Sequence, residues 1–116
     1  MSEIVYKICP RDDWEQAIRA GEYAGAPIDT QDGFIHLSAA HQVAETAAKH
    51  FAGKGDLVLV SVDAHQLGNA LKWEPSRGGD VFPHLYGALN LEAVRAVEPL
   101  PLGCDGGHMF PEGVLA

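Results

Sequence analysis

His36 is a titratable residue in a stretch of sequence that otherwise has the apolar character of a β-strand. It stands between Ile35 and Leu37. Because strand side chains alternate, the imidazole shares a face with Phe34 and Ser38. In that position it could act as a base near neutral pH or bond a ribose hydroxyl. The alternative is a half-exposed histidine that bonds a backbone carbonyl, and the residue alone favours that alternative.

A second histidine, His84, lies in an aromatic segment further along the chain. Period-two alternation puts His84 and Tyr86 on one face together with Phe82, and puts Pro83 and Leu85 on the other. An imidazole and a phenol that point together into a cleft could clamp a flat ligand. The alternative is an edge strand whose aromatic rings are packed and whose polar tips are in water. The clustering favours the functional interpretation slightly.

The pair Trp73 and Glu74 places a large aromatic ring beside a carboxylate. A glutamate can stabilise a developing cation or orient a hydroxyl, and a tryptophan can stack on a planar ring. The alternative is a core tryptophan next to a solvent-facing glutamate, and the sequence gives the two interpretations equal weight.

Ser38 ends the short strand at the point where a helix should begin. Its hydroxyl is predicted to cap that helix. It would also bond a ligand only if the ligand lay over the helix N-terminus, where free amides and the dipole attract anions.

A metal site is a further hypothesis, since His36, Glu74 and His84 would make a set of two histidines and one carboxylate. Their spacing neither supports nor excludes it, and we prefer the metal-free interpretation. The sequence contains no standard phosphate-binding or zinc-protease motif. A nucleotide, if bound, is therefore not held by a standard phosphate loop.

Charge narrows the choice of partners. The chain has 8 basic and 16 acidic residues, a formal charge of −8, and its lysines and arginines are scattered. Nucleic acids and anionic membranes are disfavoured, because their binding needs clustered positive charge. A small molecule or nucleotide is the expected ligand. Cys9 and Cys104 are far apart and fit free thiols in a reducing compartment. With neither a signal segment nor a long apolar run at hand, we expect a cytoplasmic protein.

The first half of the chain predicts two helices. Asp12 and Glu15 form a capping box for the first, with Trp14, Ala17 and Ile18 as its buried stripe. In order, the predicted elements are a strand over residues 3–9, a helix from Asp12 to Gly21, a loop over 22–32, a short strand over 34–37 and a helix over 39–51.

The second half predicts mainly strands. Leu57–Asp63 is nearly all apolar, which is typical of a strand buried on both faces, and Pro83 should confine its strand to an edge or a bulge. The predicted elements are strands over 57–63, 70–74, 81–86 and 94–100 and one helical turn over 89–93. Helices first and strands later favour an α+β fold. Residues 1–116 are expected to form a single domain with its core over about 3–100 and a tail over 101–116.

The order of these segments resembles a small bacterial family of unknown function that is placed near the ADP-ribosyltransferase-like folds. The resemblance covers nearly all of residues 3–100. It rests on Asp-Gly-Phe-Ile-His-Leu-Ser at 32–38, Asp-Leu-Val-Leu-Val-Ser-Val-Asp at 56–63, Trp-Glu at 73–74 and Phe-Pro-His-Leu-Tyr-Gly at 82–87. The His-Leu-Ser strand end is also similar to that of the RNA 2′-phosphotransferases.

The resemblance implies a split β-sheet with two main helices and a cleft that binds NAD. His36 would contact the nicotinamide ribose, and Glu74 or His84 would assist the reacting sugar. Tyr86 or Trp73 would stack on the nicotinamide.

Ser38 would belong to the same ligand site. We expect Arg77 and Lys7 to be the cations that contact the pyrophosphate. An RNA phosphate does not fit the acidic chain, so a neutral or small acceptor is expected.

Three hypotheses follow from the sequence. The first is a domain that binds NAD or another nucleotide and transfers ADP-ribose. The second is a noncatalytic module that binds a small molecule or a protein. The third is the metal-dependent enzyme that uses His36, Glu74 and His84.

Overall fold

The computed structural model describes residues 3–75, 79–104, 106–111 and 114. Its strands are β1 (Ile4–Pro10), β2 (Glu22–Tyr23), β3 (Ile35–His36), β4 (Ser38–Ala39), β5 (Leu57–Asp63), β6 (Leu71–Pro75), β7 (Val81–Leu85), β8 (Leu89–Asn90) and β9 (Val94–Leu100). The α-helices are α1 (Arg11–Ala20), α2 (Pro27–Asp32), α3 (Ala40–His50) and α4 (Ala64–Leu67), and 3₁₀ turns cover Gly68–Ala70 and Leu91–Ala93.

The strands form antiparallel sheets. A four-stranded sheet has the order β4-β1-β5-β9, a three-stranded sheet has the order β3-β7-β6, and β2 pairs with β8. The fold is therefore mixed α and β with antiparallel pairing, which confirms the α+β prediction at that level. In the part of the chain that the structure describes, we find no helix with the length and apolar character needed to cross a membrane.

The centre of the larger sheet is β5, and all seven of its residues are buried. Val58, Val60 and Val62 face a core shared with α1 and the smaller sheets. Leu57 and Leu59 face a second core, formed with α3 and part of the C-terminal tail. The prediction of a strand covered on both faces is confirmed, and the reason is that each face of this sheet packs against other elements.

The first helix begins differently from the prediction. Helix α1 starts at Arg11, and its N-cap is Pro10, which offers no side-chain hydrogen bond. The predicted Asp12 cap is therefore wrong, since Asp12 lies inside the first turn. Ile18 is 57% exposed rather than buried. The predicted end is confirmed, because Gly21 has the left-handed conformation that favours glycine (φ 91°).

The prediction of a continuous loop over residues 22–32 is also wrong. The segment contains β2 and α2, and α2 starts with Pro27 in its first turn. A proline there costs nothing, because the first amides of a helix have no partner within the helix. Helix α2 ends at Gly33, whose φ is 89°.

Ser38 does not cap α3, contrary to the prediction. The N-cap is Ala39, and its amide donates to the side chain of Gln42 at 3.0 Å. The Gln42 amide nitrogen in turn donates to the carbonyl of Val81 at 2.7 Å. One side chain thus caps the helix and attaches it to β7.

Pro83 lies in the middle strand of the three-stranded sheet, so the prediction of an edge or a bulge is wrong. Its carbonyl accepts from the Leu37 amide at 3.0 Å. The amide and carbonyl of one strand residue point to the same side, so the Pro83 nitrogen points past the end of β3. No hydrogen bond to β6 is lost.

Leu37 is the single residue between β3 and β4, and it connects the two larger sheets. β3 pairs with β7, whereas β4 pairs with β1. Leu37 is 3% exposed and is bonded through its amide to Pro83. The strand that carries His36 is therefore held by both sheets.

Candidate functional site

The two histidines face each other across neighbouring strands. His36 on β3 is the direct partner of His84 on β7, and their rings lie 5.7 Å apart at 70°. The Phe34 ring lies 4.7 Å from His36, 4.1 Å from His84 and 5.3 Å from Tyr86. We call these four residues the histidine shelf. The sequence predicted one face that carries His36 with Phe34 and another that carries His84 with Tyr86. In the structure these two faces form one surface.

Both ring nitrogens of His36 contact carboxylates. Nδ1 lies 2.6 Å from Asp29 Oδ1, and Nε2 lies 2.9 Å from Asp32 Oδ2. An ionised carboxylate only accepts hydrogen bonds. A hydrogen on either ring nitrogen is therefore donated to the carboxylate that lies next to it.

Asp29 holds this part of the site together. Its carboxylate also accepts from the amides of Ala26 (2.7 Å) and His36 (3.1 Å) and from the Lys7 ammonium (2.9 Å). Burial works to raise the pKa of Asp29, but the Lys7 charge and the hydrogen bonds outweigh it, so the pKa lies below its usual value. Asp29 is thus ionised although it is only 2% exposed.

Helix α2 is what brings Asp29 to this point. Pro27 starts the helix, and Asp29 in the first turn bonds back to the Ala26 amide. After Gly33 ends the helix, the chain returns and places His36 beside the same carboxylate. Asp29 and Asp32 are the site residues that sequence reasoning missed. The proline followed by an aspartate two residues later is the signal that could have shown the helix start.

A second anchored carboxylate lies on the other side of the histidine shelf. Glu74 Oε1 lies 2.9 Å from His84 Nδ1 and accepts from the Tyr86 hydroxyl at 2.7 Å. The hydrogen bond from Tyr86, and after it the one from His84, lower the pKa of Glu74. The bond between Tyr86 and Glu74 also raises the pKa of Tyr86. In the described part of the chain, Oε2 of Glu74 has no hydrogen-bond donor. The two contacts of Glu74 hold its negative charge in place.

The structure does not bring every predicted residue to the shelf. Ser38 is buried in β4 and contacts the Thr46 hydroxyl at 3.2 Å. Trp73 pairs with Pro83 in the ladder, so its side chain lies on the face opposite Glu74 and His84. Arg77 lies outside the described residues.

Lys7 was predicted as a pyrophosphate partner, but its ammonium is committed elsewhere. It is 7% exposed and donates to Asp29 and to the carbonyl of His36 at 3.1 Å. Its role in the structure is to balance the buried Asp29 charge.

The donor set does not fit the metal-dependent hypothesis. Among the residues that the structure describes, no three His, Cys, Asp or Glu side chains are grouped so as to hold a metal ion. Both nitrogens of His36 and one nitrogen of His84 already contact carboxylates. Nothing in the arrangement supports a shared ion between His36, Glu74 and His84.

Comparison with known proteins gives one family and one closely similar fold. Residues 8–97 match the family described as "Protein of unknown function (DUF952)". The crystal structure of protein CC0527 from Caulobacter crescentus is 45% identical, with a TM-score of 0.92 over 97% of this chain and 99% of that chain. Its solution structure is 49% identical, with a TM-score of 0.81 over 90% of each chain. None of the curated proteins matches.

Proposed function

This chain belongs to the DUF952 family of proteins of unknown function, and we propose that it binds NAD on the histidine shelf and transfers ADP-ribose. The observation that carries the proposal is the pairing of His36 with His84 beside an anchored, ionised Glu74. A donor for a sugar hydroxyl and a carboxylate for a sugar cation then lie on one surface.

The sheet arrangement supports an ADP-ribosyltransferase-like split sheet. The two larger antiparallel sheets are separate in their hydrogen bonding and meet at Leu37. The histidine shelf starts next to that crossing. A ligand on the shelf would therefore lie beside the division between the sheets, where the resemblance places NAD.

The aromatic side chains suit a flat ring. Tyr86 is 40% exposed, and Phe34 is half-buried. Rings of this kind stack on planar groups at centroid distances of about 4.5–7 Å. A nicotinamide on Tyr86 would leave its ribose near His36, whose donors are fixed by Asp29.

Glu74 supplies the electrostatic part of the proposed reaction. As the bond between the nicotinamide nitrogen and C1′ of the ribose breaks, its electron pair leaves with nicotinamide and positive charge grows on the sugar. A carboxylate held ready near that charge lowers the barrier. A hydroxyl acceptor then bonds to C1′, and its proton passes to His84 Nε2 when that ring is neutral, because Nδ1 is the nitrogen that donates to Glu74.

The surface around the shelf favours a small or neutral acceptor. The chain carries a net charge of −8, which repels a polyanion such as RNA. Lys72 is an exposed cation on the same face, since it pairs with His84 in the ladder. We assign it, with Arg77, to the pyrophosphate.

Thermal unfolding with NAD tests the proposal. At about ten times its Kd, NAD should stabilise the protein by about 1.4 kcal/mol, a rise in Tm of about 5 °C. The rise should persist in His65→Ala, a control on the exposed helix α4, and should disappear in His84→Ala. Chromatography of the same samples should show free nicotinamide. No change in Tm at millimolar NAD would contradict the proposal.

A noncatalytic binding module is the second candidate, and one observation favours it. The His84 ring, to which the reaction above passes the acceptor proton, is only 5% exposed, so an acceptor hydroxyl has little access to it. NAD binding without release of nicotinamide would select this candidate.

A further inference from the structure

The two carboxylates that hold His36 differ in their surroundings. The Asp29 side chain is 1% exposed and lies 2.6 Å from Nδ1. The Asp32 side chain is 40% exposed and lies 2.9 Å from Nε2. Asp29 also bonds Lys7 and two backbone amides. In the described part of the chain, Asp32 makes its polar contact with His36 alone.

These differences decide which contact a ligand can replace. Moving Asp29 would leave the Lys7 ammonium and two amides without their acceptor, which is costly for buried groups. Moving Asp32 breaks a single contact between two partly exposed side chains, and such contacts contribute little to stability. The Nε2 hydrogen of His36 is therefore the donor that the site can offer to a ligand.

The charges around Nε2 decide which kind of ligand oxygen can accept a hydrogen bond from it. Three carboxylates, those of Asp29, Asp32 and Glu74, contact the two histidines, and the Lys7 ammonium lies against that of Asp29. A phosphate or carboxylate at Nε2 would meet uncompensated repulsion. A hydroxyl can accept from Nε2 and donate to Asp32 at the same time, so both groups stay bonded.

We propose that Asp32 is a specificity-determining residue that selects a ligand hydroxyl over an anionic group at His36 Nε2. The ligand class is a nucleoside with free ribose hydroxyls, because the Phe34 ring lies only 4.7 Å from His36 and offers an aromatic surface beside the hydroxyl position. This inference rests on the nucleotide site proposed above. It adds the residue that discriminates between a hydroxyl and an anionic group of the ligand.

A pair of probes that differ only in the ribose hydroxyls tests the inference. Adenosine and 2′,3′-dideoxyadenosine are titrated into protein with ¹⁵N-labelled histidine rings, and the His36 Nε2 signal is followed by NMR. Inorganic phosphate is the third probe. The variants are Asp32→Ala and Asp32→Asn, with Asp12→Ala, an exposed aspartate on α1, as the matched control.

In the wild type, adenosine should shift the Nε2 signal and bind at least about tenfold more tightly than the dideoxy compound, the effect of one or two hydrogen bonds to charged groups. Asp32→Ala should weaken adenosine binding by about threefold to tenfold. Both Asp32 variants should gain phosphate binding at His36. Asp12→Ala should behave as the wild type.

Each other result counts against the inference. Equal affinity for the two nucleosides, phosphate binding by the wild type at His36, or adenosine affinity unaffected by Asp32→Ala would overturn it, as would the absence of any adenosine shift. The outcome is separate from that of the NAD experiment. Hydroxyl selectivity without NAD binding would contradict only the proposed function, and NAD binding that is independent of Asp32 would contradict only this inference.

Discussion

The Asp29 carboxylate is buried beside a lysine and a histidine and accepts hydrogen bonds from both, as well as from the amides of Ala26 and His36. Removing one partner of such a pair leaves the other charge without compensation inside the protein. At the scale of single residues, Asp29 therefore supports both the stability of the fold and the orientation of His36.

Asp29→Asn should lower the free energy of unfolding by about 3–5 kcal/mol, because the isosteric amide keeps the shape and leaves the buried Lys7 ammonium unpaired. Asp32→Asn, the exposed member of the same cluster, should change it by less than about 1 kcal/mol. Urea unfolding of both variants measures the difference. Equal effects would show that burial does not distinguish the two carboxylates.

The same residue predicts a dependence of stability on pH. The pKa of Asp29 lies below its usual value near 3.8, so the unfolded chain takes up its proton first as the pH falls. The stabilisation is complete above the unfolded pKa and is lost as the pH drops through the folded pKa. The urea midpoint should therefore fall from about pH 5 to about pH 3, and Asp29→Asn should flatten that fall.

Part of this site was predictable from the sequence. The faces of His36, His84 and Tyr86 follow from the alternation of side chains within a strand, which is a local property. The cluster around Asp29 was not predictable, because Lys7 and His36 reach it from distant segments. An aspartate in what looks like a loop gives no sign of such partners.

At the scale of secondary-structure elements, helix α2 depends on a close contact with the residue Gly25 that precedes it. Gly25 precedes it with φ 104°, and a Cβ atom there would lie 2.9 Å from Asp29 Cβ and 3.3 Å from Ile35 Cγ1. The glycine lets the chain pass closely over the helix that carries Asp29.

Gly25→Ala should therefore destabilise the protein by about 2–4 kcal/mol, from backbone strain and from overpacking together. Gly53→Ala is the matched control, because Gly53 also has a positive φ (74°) but an added Cβ would meet nothing within 4 Å. It should cost about 1 kcal/mol from strain alone. Thermal or urea unfolding compares them, and a Gly53→Ala cost equal to that of Gly25→Ala would refute the contact argument.

The long elements were the predictable ones. Strand β9 has the predicted bounds, and β5 is buried on both faces as its valine-rich sequence indicated. The errors at Asp12, Ser38 and Pro83 share a cause, since each was inferred from a local preference. At the start of α3, the Gln42 side chain instead accepts from the Ala39 amide. At Pro83, the strand β3 ends before the position where the proline would need an amide hydrogen.

At the scale of the whole molecule, β5 separates two cores and contributes to both. Leu59→Ala, at a fully buried position, should destabilise the protein by about 2–5 kcal/mol. Val97→Ala, at a position on neighbouring β9 that is 40% exposed, should cost less than about 1 kcal/mol. Hydrogen exchange in Leu59→Ala should be faster in β1, β5 and β9 together. Faster exchange in β5 alone would mean that these strands do not unfold as a unit.

The crossing at Leu37 bears on the rate of ligand binding. The residue is buried, is bonded to Pro83 and is followed at once by β4 in the other sheet, so His36 cannot swing without disturbing both sheets. The wall of the site that carries His36 is formed before any ligand arrives. Association should therefore be a single step, with an observed rate that rises linearly with nucleoside concentration and shows no plateau from a slow closure.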